Sequence, residues 1–214
     1  MTKTGEITTS PIDSDLKGRS KWWGCPELPD GIQFPCYNTD VDDKLDDGLE
    51  DTMTFICQIN LRDIAELDKD NLLPHKGMLY FFARLDYFLG DLDDDAPSIG
   101  FWNDGDFRVI YSPVCEDLNT HTILWEDGSP AYKPAEAISF SETNDNAYGH
   151  KLLGYPYYEE VENEAPGMIS LLQIDEDDGW RLHMYDMGNL NFLINPIDLK
   201  NLDFSKTKLY FHSL

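Results

Sequence analysis

Two glutamines are the sharpest polar signals in the sequence, because each stands inside an apolar run. Gln58 lies in Phe55-Ile56-Cys57-Gln58-Ile59-Asn60, and Gln173 lies in Leu171-Leu172-Gln173-Ile174-Asp175. A buried amide without hydrogen-bond partners costs about 1–3 kcal/mol, so the fold must satisfy both side chains. Either each amide bonds backbone groups where two halves of the chain meet, or both amides face a polar ligand in one cleft between the halves, together with Asp186.

Aromatic side chains beside two Gly-x-Pro turns are the second group with a candidate binding role. Trp22 and Trp23 precede Gly24-Cys25-Pro26, and Tyr155 stands inside Gly154-Tyr155-Pro156. Such rings cover a core in many proteins, and where they are exposed they anchor protein partners. The sequence leaves both interpretations open for Trp22, Trp23 and Tyr155.

Local motifs of catalysis and of metal binding do not occur in the sequence. It has no nucleophile elbow, no phosphate-binding loop and no dinucleotide-binding glycine pattern. The five histidines lack the spacing of a zinc site, and we expect His150 to hold the second Gly-x-Pro turn. The sequence therefore identifies no catalytic residue, no metal ligand and no cofactor. It favours a non-enzymatic role, although a cysteine–histidine pair built from distant residues stays open.

One acidic turn has part of the spacing of a calcium-binding loop. Asp91, Asp93 and Asp95 alternate along this turn, but Ala96 stands where the loop needs glycine, and Trp102 stands where it needs a bidentate glutamate. We therefore expect no EF-hand. A solvated turn is favoured, and a weak site for a divalent ion stays open.

The chain is strongly acidic. It has 214 residues, with 41 Asp and Glu against 16 Lys and Arg, so the net charge at pH 7 is −25. This field repels phosphate backbones and anionic lipids, and it attracts cationic proteins. We therefore expect a basic protein as the partner, and neither nucleic acid nor a membrane. The alternative is that the acidity only keeps a β-rich protein soluble.

The sequence shows no sign of secretion. Residues 1–15 lack an apolar segment, and the longest apolar run, residues 78–83, is too short to span a bilayer. The four cysteines, at positions 25, 36, 57 and 115, lack C-x-x-C spacing and are expected to be reduced thiols. A bridge between Cys25 and Cys36 stays open. We expect a soluble cytoplasmic protein.

Short segments recur in the same order in the two halves of the chain. Each half has a Gly-x-Pro turn, then the run that carries Gln58 or Gln173, then a glycine-led apolar run and a last strand. The last two members are residues 77–82 and 107–111 in the first half, and 188–193 and 208–212 in the second. This order predicts an internally duplicated α+β fold, mostly antiparallel β with short helices, in which two similar halves share one core.

The same order predicts the domain organisation. Residues 1–19 are expected to form a loose N-terminal lead-in, and residues 20–214 a single domain. The two repeats would cover about residues 20–114 and 147–214, with residues 115–146 as the connector.

Local patterns predict individual elements within this domain. Strands are expected at residues 54–60 and 180–185. Asn60 is expected to cap a helix of about two turns. A further short helix is expected over residues 195–200, where Asn195 precedes a proline.

Taken together, these segments resemble the YwqG-like family. Six pieces carry the resemblance, in order, from residue 20 to residue 212, and their order is more specific than any one of them. They are Ser20-Lys21-x-x-Gly24-x-Pro26-x-Leu28-Pro29 with Phe34-Pro35, Gln58-Ile59-Asn60-Leu61, Leu73-Pro74-x-x-Gly77-x-Leu79-Tyr80-Phe81-Phe82, His150-x-Leu152-x-Gly154-Tyr155-Pro156, Leu171-Leu172-Gln173-Ile174-Asp175, and Asp198-Leu199 with Asp203-Phe204-Ser205-Lys206.

The resemblance implies a duplicated α+β fold in an intracellular bacterial protein, and it implies no activity. One segment departs from the family pattern: where the family tends to have Trp-Gly-Asp before the second glycine-led run, this chain has Met184-Tyr185-Asp186-Met187-Gly188. The charge then favours a non-enzymatic acidic binding protein that recognises a cationic protein, with an inhibitor or immunity-type role open. The alternative is a small-molecule-binding protein or an enzyme with a site between the two repeats.

Overall fold

An antiparallel sheet of eleven strands contains most of the strands in the described chain. The structure is a computed structural model, which describes residues 4–11, 16–38, 50–92, 94–124, 128–129 and 131–214. Its strands are β1 (Thr4–Pro11), β2 (Lys21–Trp22), β3 (Glu27–Leu28), β4 (Cys36–Asn38), β5 (Glu50–Thr52), β6 (Thr54–Asn60), β7 (Met78–Ala83), β8 (Gly100–Phe101), β9 (Phe107–Ser112), β10 (Asn119–Thr120), β11 (Glu136–Thr143), β12 (Lys151–Leu152), β13 (Ile169–Asp175), β14 (Asn189–Ile194) and β15 (Lys208–His212). Its helices are α1 (Glu159–Glu164), α2 (Pro196–Lys200) and two 3-10 helices, Tyr87–Leu89 and Phe204–Lys206. The prediction of mostly antiparallel β structure with short helices is confirmed.

The large sheet has two arms that meet at β1 and β11. Its strand order is β8-β15-β14-β13-β12-β1-β11-β2-β6-β7-β9, and β3 with β10 and β4 with β5 form two small separate sheets. We define the first arm as β2, β6, β7 and β9, and the second arm as β12, β13, β14 and β15. β1 comes before the first arm in sequence but pairs with β12, whereas β11 comes before the second arm but pairs with β2. β1 and β11 also pair with each other, so backbone hydrogen bonds join the two arms.

The two arms carry an irregularity at the same place. The pairing register shifts in β6 between Phe55 and Cys57, and in β13 between Ser170 and Leu172. In each arm the glutamine is the next residue after the shift. Because an extra residue in one strand bends that strand, both arms are expected to bend beside their glutamine.

The arms pack face to face around one aromatic core. The ring of Phe81 in β7 lies 5.2 Å from the ring of Phe192 in β14, and Phe107 in β9 lies 6.1 Å from that same ring. Trp22 in β2 packs 4.9 Å from Trp180. All five rings belong to one continuous cluster of buried side chains. Each such side chain contributes about 1.5–3 kcal/mol through its burial, so the core ties the first arm to the second.

The outer face of each arm is covered differently. In the first arm, Tyr80 of β7 packs in a second apolar cluster with Leu28 of the short strand β3. In the second arm, α1 places Val161 against Leu193 and Tyr210. The first arm therefore has an apolar outer layer of loops and short strands, whereas a helix covers part of the second.

The helix predicted after Asn60 is wrong. Residues 61–67 form hydrogen-bonded turns, in which Asp63 N donates to Asn60 O at 2.9 Å. The Asp68 carboxylate then accepts from the backbone N–H groups of Leu72 and Leu73. These side-chain bonds give the backbone partners outside a helix, which explains why the helical pattern does not continue.

The strand predicted at residues 180–185 is also wrong. This segment is a turn, in which Leu182 bridges back to Asp177 and Trp180 enters the core. The strand predicted at residues 54–60 is confirmed as β6. The short helix at the Asn195-Pro196 step is confirmed as α2, whose Ile197 N–H donates to the Asn195 side chain.

Two segments that were expected to lie outside the repeats contain strands. Residues 1–19, predicted to be a loose lead-in, include β1, and the predicted connector at residues 115–146 includes β10 and β11. Residues 1–3 and 12–15 lie outside the described ranges. β1 and β11 have few apolar residues, and each finds its partners far away in sequence. Their pairing therefore comes from the sheet and not from a local pattern.

Gly188, directly before β14, tests how tightly this sheet is packed. A Cβ atom at Gly188 would lie 1.9 Å from the Met184 carbonyl oxygen, whereas one at Gly105 would meet no atom within 4 Å. We expect Gly188→Ala to lower the free energy of unfolding by about 1–3 kcal/mol, because backbone must move to relieve the overlap. The control, Gly105→Ala, is expected to change it by less than about 0.5 kcal/mol. Urea denaturation measures both, and equal midpoints would contradict the packing around Gly188.

Candidate functional site

The two glutamines of the sequence analysis lie far apart in the sheet. Gln58 is in β6 and Gln173 is in β13, and four strands separate them. Both side chains are completely buried. Asp186 is exposed, and its backbone N–H donates to the Ser213 hydroxyl at 3.2 Å. The structure therefore does not bring Gln58, Gln173 and Asp186 together in one cleft.

Gln58 closes a buried polar cluster in the first arm, which we call the first clamp. Its Oε1 atom accepts from Glu27 N at 3.1 Å, and its Nε2 atom donates to Arg19 O at 3.0 Å and to the Glu27 carboxylate. The same carboxylate pairs with the ammonium group of Lys21, which lies opposite Gln58 in the sheet. The clamp thus ties the loop after β2 to β6.

Gln173 makes the equivalent bonds in the second arm, which we call the second clamp. Its Oε1 atom accepts from Tyr157 N at 2.9 Å, and its Nε2 atom donates to Gly149 O at 2.8 Å and Ala147 O at 3.1 Å. Lys151 lies opposite Gln173, as Lys21 lies opposite Gln58. The contacts of both amides support the structural interpretation, in which each satisfies backbone groups.

The lysine of the second clamp has no described carboxylate in contact with its ammonium group. Lys151 Nζ donates to the carbonyl oxygens of Asp145, Ala147 and Tyr155. Burial lowers the pKa of Lys151 to about 8, although the nearby Asp145 raises it. In the first arm the carboxylate of Glu27 takes the place of these carbonyl groups.

The three aromatic candidates separate into two environments. Trp22 and Trp23 are buried, and both rings pack against Trp180. Trp180 also stacks on His150 at 4.6 Å, and the His150 Nδ1 atom accepts from Asp175 N. Tyr155 is instead exposed. The tryptophans therefore belong to the core between the arms, and His150 joins that core to the end of β13.

A broad concavity of about 1040 Å³ opens beside the first arm, and we call it the acidic groove. Five aspartates are among the described residues that line it, together with apolar and aromatic side chains and two positively charged side chains, Arg84 and Lys133. The aspartates are Asp51, Asp86, Asp91, Asp94 and Asp95. Its aromatic wall consists of Trp23, Phe34, Tyr37, Phe55 and Tyr132.

Both cations of the acidic groove already have partners. The Arg84 guanidinium bonds the Asp94 carboxylate, with Nε to Oδ1 at 3.1 Å, and it lies 4.9 Å from the centre of the Tyr37 ring. Lys133 Nζ donates to Trp180 O, and burial lowers the pKa of Lys133. The aspartates outnumber these two cations, so the electrostatic field in the groove is negative.

The carboxyl group of Asp86 has a raised pKa in the acidic groove. Burial raises its pKa, and the carboxylates of Asp94, Asp51 and Asp91 raise it further, whereas the hydrogen bond from Thr54 lowers it. The free energy cost of holding this charge in a crowded negative environment falls when a cation binds. Trp23 Nε1, on the same groove, is buried without a hydrogen-bond partner among the described residues.

Comparison with known proteins places the chain in a family. A family model described as "Domain of unknown function (DUF1963)" matches residues 20–212. The chain belongs to this family. No curated protein matches the chain. The DUF1963 match includes both clamps and the residues of the acidic groove, and β1 lies before it.

Several sequence expectations for the DUF1963 domain concern ions, thiols and membranes. The described residues contain no group of three His, Cys, Asp or Glu side chains that could hold a metal ion. In the acidic turn, Asp93 lies outside the described residues, and Arg84 pairs with Asp94 and Asp95. Cys25 and Cys36 are not joined by a disulfide, and all four cysteines are reduced thiols. Among the described residues, no helix is long and apolar enough to cross a membrane.

The sequence shows an excess of negative charge, but it does not show that some of this charge lines a groove. Asp51, Asp86 and Tyr37 come from separate loops and strands, and only the fold brings them together. Asp91 and Asp95 were noticed as part of an acidic turn. The one available signal was the excess of acidic residues, and this excess does not indicate where in the fold a binding site lies.

The second clamp predicts an unusual pH dependence of stability. Lys151 has a pKa of about 8 in the folded chain and near 10.5 in the unfolded chain, so between these values only the unfolded chain keeps the proton. The stability of the wild type relative to Lys151→Met should therefore rise as the pH increases from 8 to 10.5, by about 2–3 kcal/mol. Urea denaturation over this range measures the difference.

The control for this experiment is Lys76→Met, which removes an exposed lysine. Its stability relative to the wild type should stay level across the same pH range, since folding does not bury this side chain. A difference between wild type and Lys151→Met that is flat from pH 8 to 10.5 would contradict the buried, charge-penalised lysine.

Proposed function

We propose that this protein is a YwqG-like, non-enzymatic binding protein of the cytoplasm, which recognises a basic protein through the acidic groove. The observation that carries this proposal is the set of five aspartates around a concave surface whose two cations are already paired. An inhibitor or immunity-type role fits such a protein, because binding alone performs it.

The electrostatics of the groove favour a cationic ligand. Asp86 keeps a raised pKa because it is buried among like charges. A lysine or arginine of a partner that enters the groove would remove this repulsion, and it would gain more there than at an exposed carboxylate, since screening by water is weaker. The net charge of −25 adds long-range steering of the same sign.

Arg84 supports a preference for arginine within the groove. Its guanidinium lies between the Tyr37 ring and the Asp94 carboxylate, which is the arrangement that guanidinium groups favour in recognition sites. Asp51, Asp86 and Asp91 extend the same lining. Further guanidinium groups would therefore meet carboxylates and aromatic faces of the same kind.

A second candidate function is binding of a small cationic molecule in the same groove. The volume of about 1040 Å³ favours it, because pockets for small ligands have volumes of about 300–1,000 Å³. The two candidates share the carboxylates and differ in the size of the ligand.

We also propose that the two arms are an internal duplication. Three features that occur once in each arm support the duplication: the register shift, the clamp, and the lysine that lies opposite the glutamine. The acidic groove belongs to the first arm only. Each arm of a duplicated domain is free to acquire its own ligand, since the clamp maintains the fold of both.

Neutralising two groove aspartates tests the proposed function. The double variant Asp51→Asn/Asp86→Asn keeps the size of both side chains and removes two negative charges. We expect it to bind a short arginine–serine repeat peptide about tenfold more weakly than the wild type, which is about 1.4 kcal/mol. Binding to the wild type should also weaken in acid, because the raised pKa of Asp86 means that this group loses its charge at milder acidity than an ordinary aspartate.

The matched control removes the same charge elsewhere. Asp70→Asn/Asp178→Asn changes two exposed aspartates and is expected to alter binding by less than about twofold. Calorimetric titration at low salt measures all three proteins, with a citrulline–serine peptide as the neutral ligand. Equal binding of the arginine and citrulline peptides, or equal losses in the two double variants, would refute the proposal. Binding of spermidine without binding of the peptide would favour the second candidate.

A further inference from the structure

Three polar side chains form a buried row across the second arm. Asp175 in β13 lies opposite Asn189 in β14, and Asn189 lies opposite His212 in β15. Their exposed fractions are only 2%, 0% and 6%. Side chains directly opposite each other in an antiparallel pair lie on the same face, about 4.5–5.5 Å apart at Cβ. We call these three residues the polar row.

The fold itself does not require this row. The matching row of the first arm is Asn60, Met78 and Ser112, as the same pairing registers show. Met78 is buried in an apolar cluster there. A strand trio of the same geometry therefore folds without a carboxylate, a central amide or an imidazole. The charged and polar character of the second row needs a separate reason.

The polar row also contains hydrogen-bonding atoms that have no partner in the described part of the chain. Ser170 Oγ donates to Asn191 Oδ1 at 3.2 Å, and Asn191 Nδ2 donates to Asn189 Oδ1 at 2.5 Å. This relay leaves Asn189 Nδ2 without a partner among the described residues, and His212 Nε2 is in the same condition. Each buried, unsatisfied group costs about 1–3 kcal/mol, which a ligand atom would recover.

Three tyrosines lie over the polar row, and we call them the tyrosine shelf. The ring of Tyr158 lies 4.2 Å from the imidazole of His212, and the hydroxyl of Tyr148 bonds the Asp175 carboxylate. Tyr157 lies between them, 5.2 Å from Tyr148 and 4.9 Å from Tyr158. The shelf thus touches both ends of the row, and the Asn189 side chain stands between those ends on the same face of the sheet.

The rings of the shelf offer faces to a ligand. Tyr148 and Tyr157 meet at 73°, and Tyr157 and Tyr158 meet at 76°, so neighbouring faces are nearly perpendicular. Tyr148 and Tyr157 are exposed. Perpendicular aromatic faces beside a carboxylate are the recurrent surroundings of bound ammonium groups, because the ring faces carry partial negative charge.

The carboxylates around the tyrosine shelf create a negative electrostatic field, which favours binding of an ammonium group. The Asp175 carboxylate raises the pKa of the Tyr148 hydroxyl, after burial, to about 12, and Glu176 acts in the same direction. Glu160 acts likewise on Tyr158, and it raises the pKa of His212, which burial lowers. Burial of His212 favours the neutral imidazole, which can donate a hydrogen bond from Nε2 without adding positive charge.

We propose that the tyrosine shelf and the polar row form a binding site for a small organic ammonium compound that carries a hydroxyl or carbonyl oxygen near its charge. The ammonium group lies against the faces of Tyr148 and Tyr157, within the field of Asp175. The oxygen accepts from Asn189 Nδ2 and from His212 Nε2, which are buried in the structure, so binding requires the Tyr158 ring over His212 to turn aside. This site is in the second arm and does not depend on the acidic groove or on the proposed protein partner.

Choline and its neutral carbon isostere, 3,3-dimethylbutan-1-ol, test the class of ligand directly. The two have the same shape and the same hydroxyl, and they differ in charge. We expect choline to bind the full-length protein at least about tenfold more tightly in calorimetric titration, since cation–π and carboxylate contacts together contribute on that scale. Equal titration of both compounds, the absence of binding by choline, or binding of glucose at the same residues would overturn the proposal.

Variants locate the site, and two of them copy residues that the first arm already contains. Asp175→Asn reproduces Asn60, and Asn189→Met reproduces Met78, so both substitutions suit the geometry of the sheet. We expect each to weaken choline binding at least about tenfold. Asp175→Asn should also bring the affinity for choline close to that for the neutral isostere, which loss of packing alone would not do.

Tyr157→Ala and Tyr155→Ala keep the test decisive if a buried variant fails to fold. Both tyrosines are exposed, at 41% and 48%, and neither substitution opens the core. Tyr157 contacts the other rings of the shelf, whereas Tyr155 has no ring contact among the described residues. We expect Tyr157→Ala to weaken choline binding about tenfold and Tyr155→Ala to leave it within about twofold. Equal effects of the two variants would overturn the site.

Discussion

The buried amide clamps stabilise each arm beside a residue in the left-handed backbone conformation. Trp23 and Leu153 have φ values of 51° and 65°, which residues with side chains rarely adopt. Their N–H groups are nevertheless used, because Trp23 donates to Ile56 O at 2.8 Å and Leu153 donates to Leu171 O at 3.1 Å. The clamp then bonds the chain on either side of this point. Strained residues persist when surrounding contacts determine their conformation, and here strand and clamp do so together.

Once the turns are held in this way, the two arms can differ on their outer faces. The first clamp uses the carboxylate of Glu27, which binds both Lys21 and Gln58. At the corresponding place the second clamp needs only the backbone N–H of Tyr157, so that side chain is free to point outward. A change of clamp chemistry thus places an exposed ring next to the polar row. The proposed binding surfaces of both arms therefore depend on structural interactions.

The parts of the fold that could be predicted from sequence are those with local periodicity. β6 and α2 were predicted because an apolar run and the Asn195-Pro196 step are local signals. β1 and β11 were missed because their pairing joins residues 4–11 to residues 136–143. Trp180 was assigned to a strand, since an apolar alternation looks the same in a core-directed turn.

The candidate sites were less predictable than the fold, for a physical reason. The net charge indicated a cationic ligand, but a sum of charges has no location. Asp86 matters because it is buried among other carboxylates, and burial depends on how the arms curl. Asn189 looked like an ordinary strand residue, and only its pairing between Asp175 and His212 shows it to be part of a polar row.

The acidic groove and the tyrosine shelf are connected through the aromatic core. Trp23 lines the groove and packs 5.2 Å from Trp180, which stacks on His150 at 4.6 Å. His150 in turn accepts from Asp175 N at 3.2 Å. A chain of contacts transmits binding energy only if some element of it has two arrangements of similar free energy. Trp23 and Trp180 are buried in close-packed contact, and a second arrangement of either ring would displace its neighbours. We therefore expect the core to act as a rigid spacer between the two proposed sites.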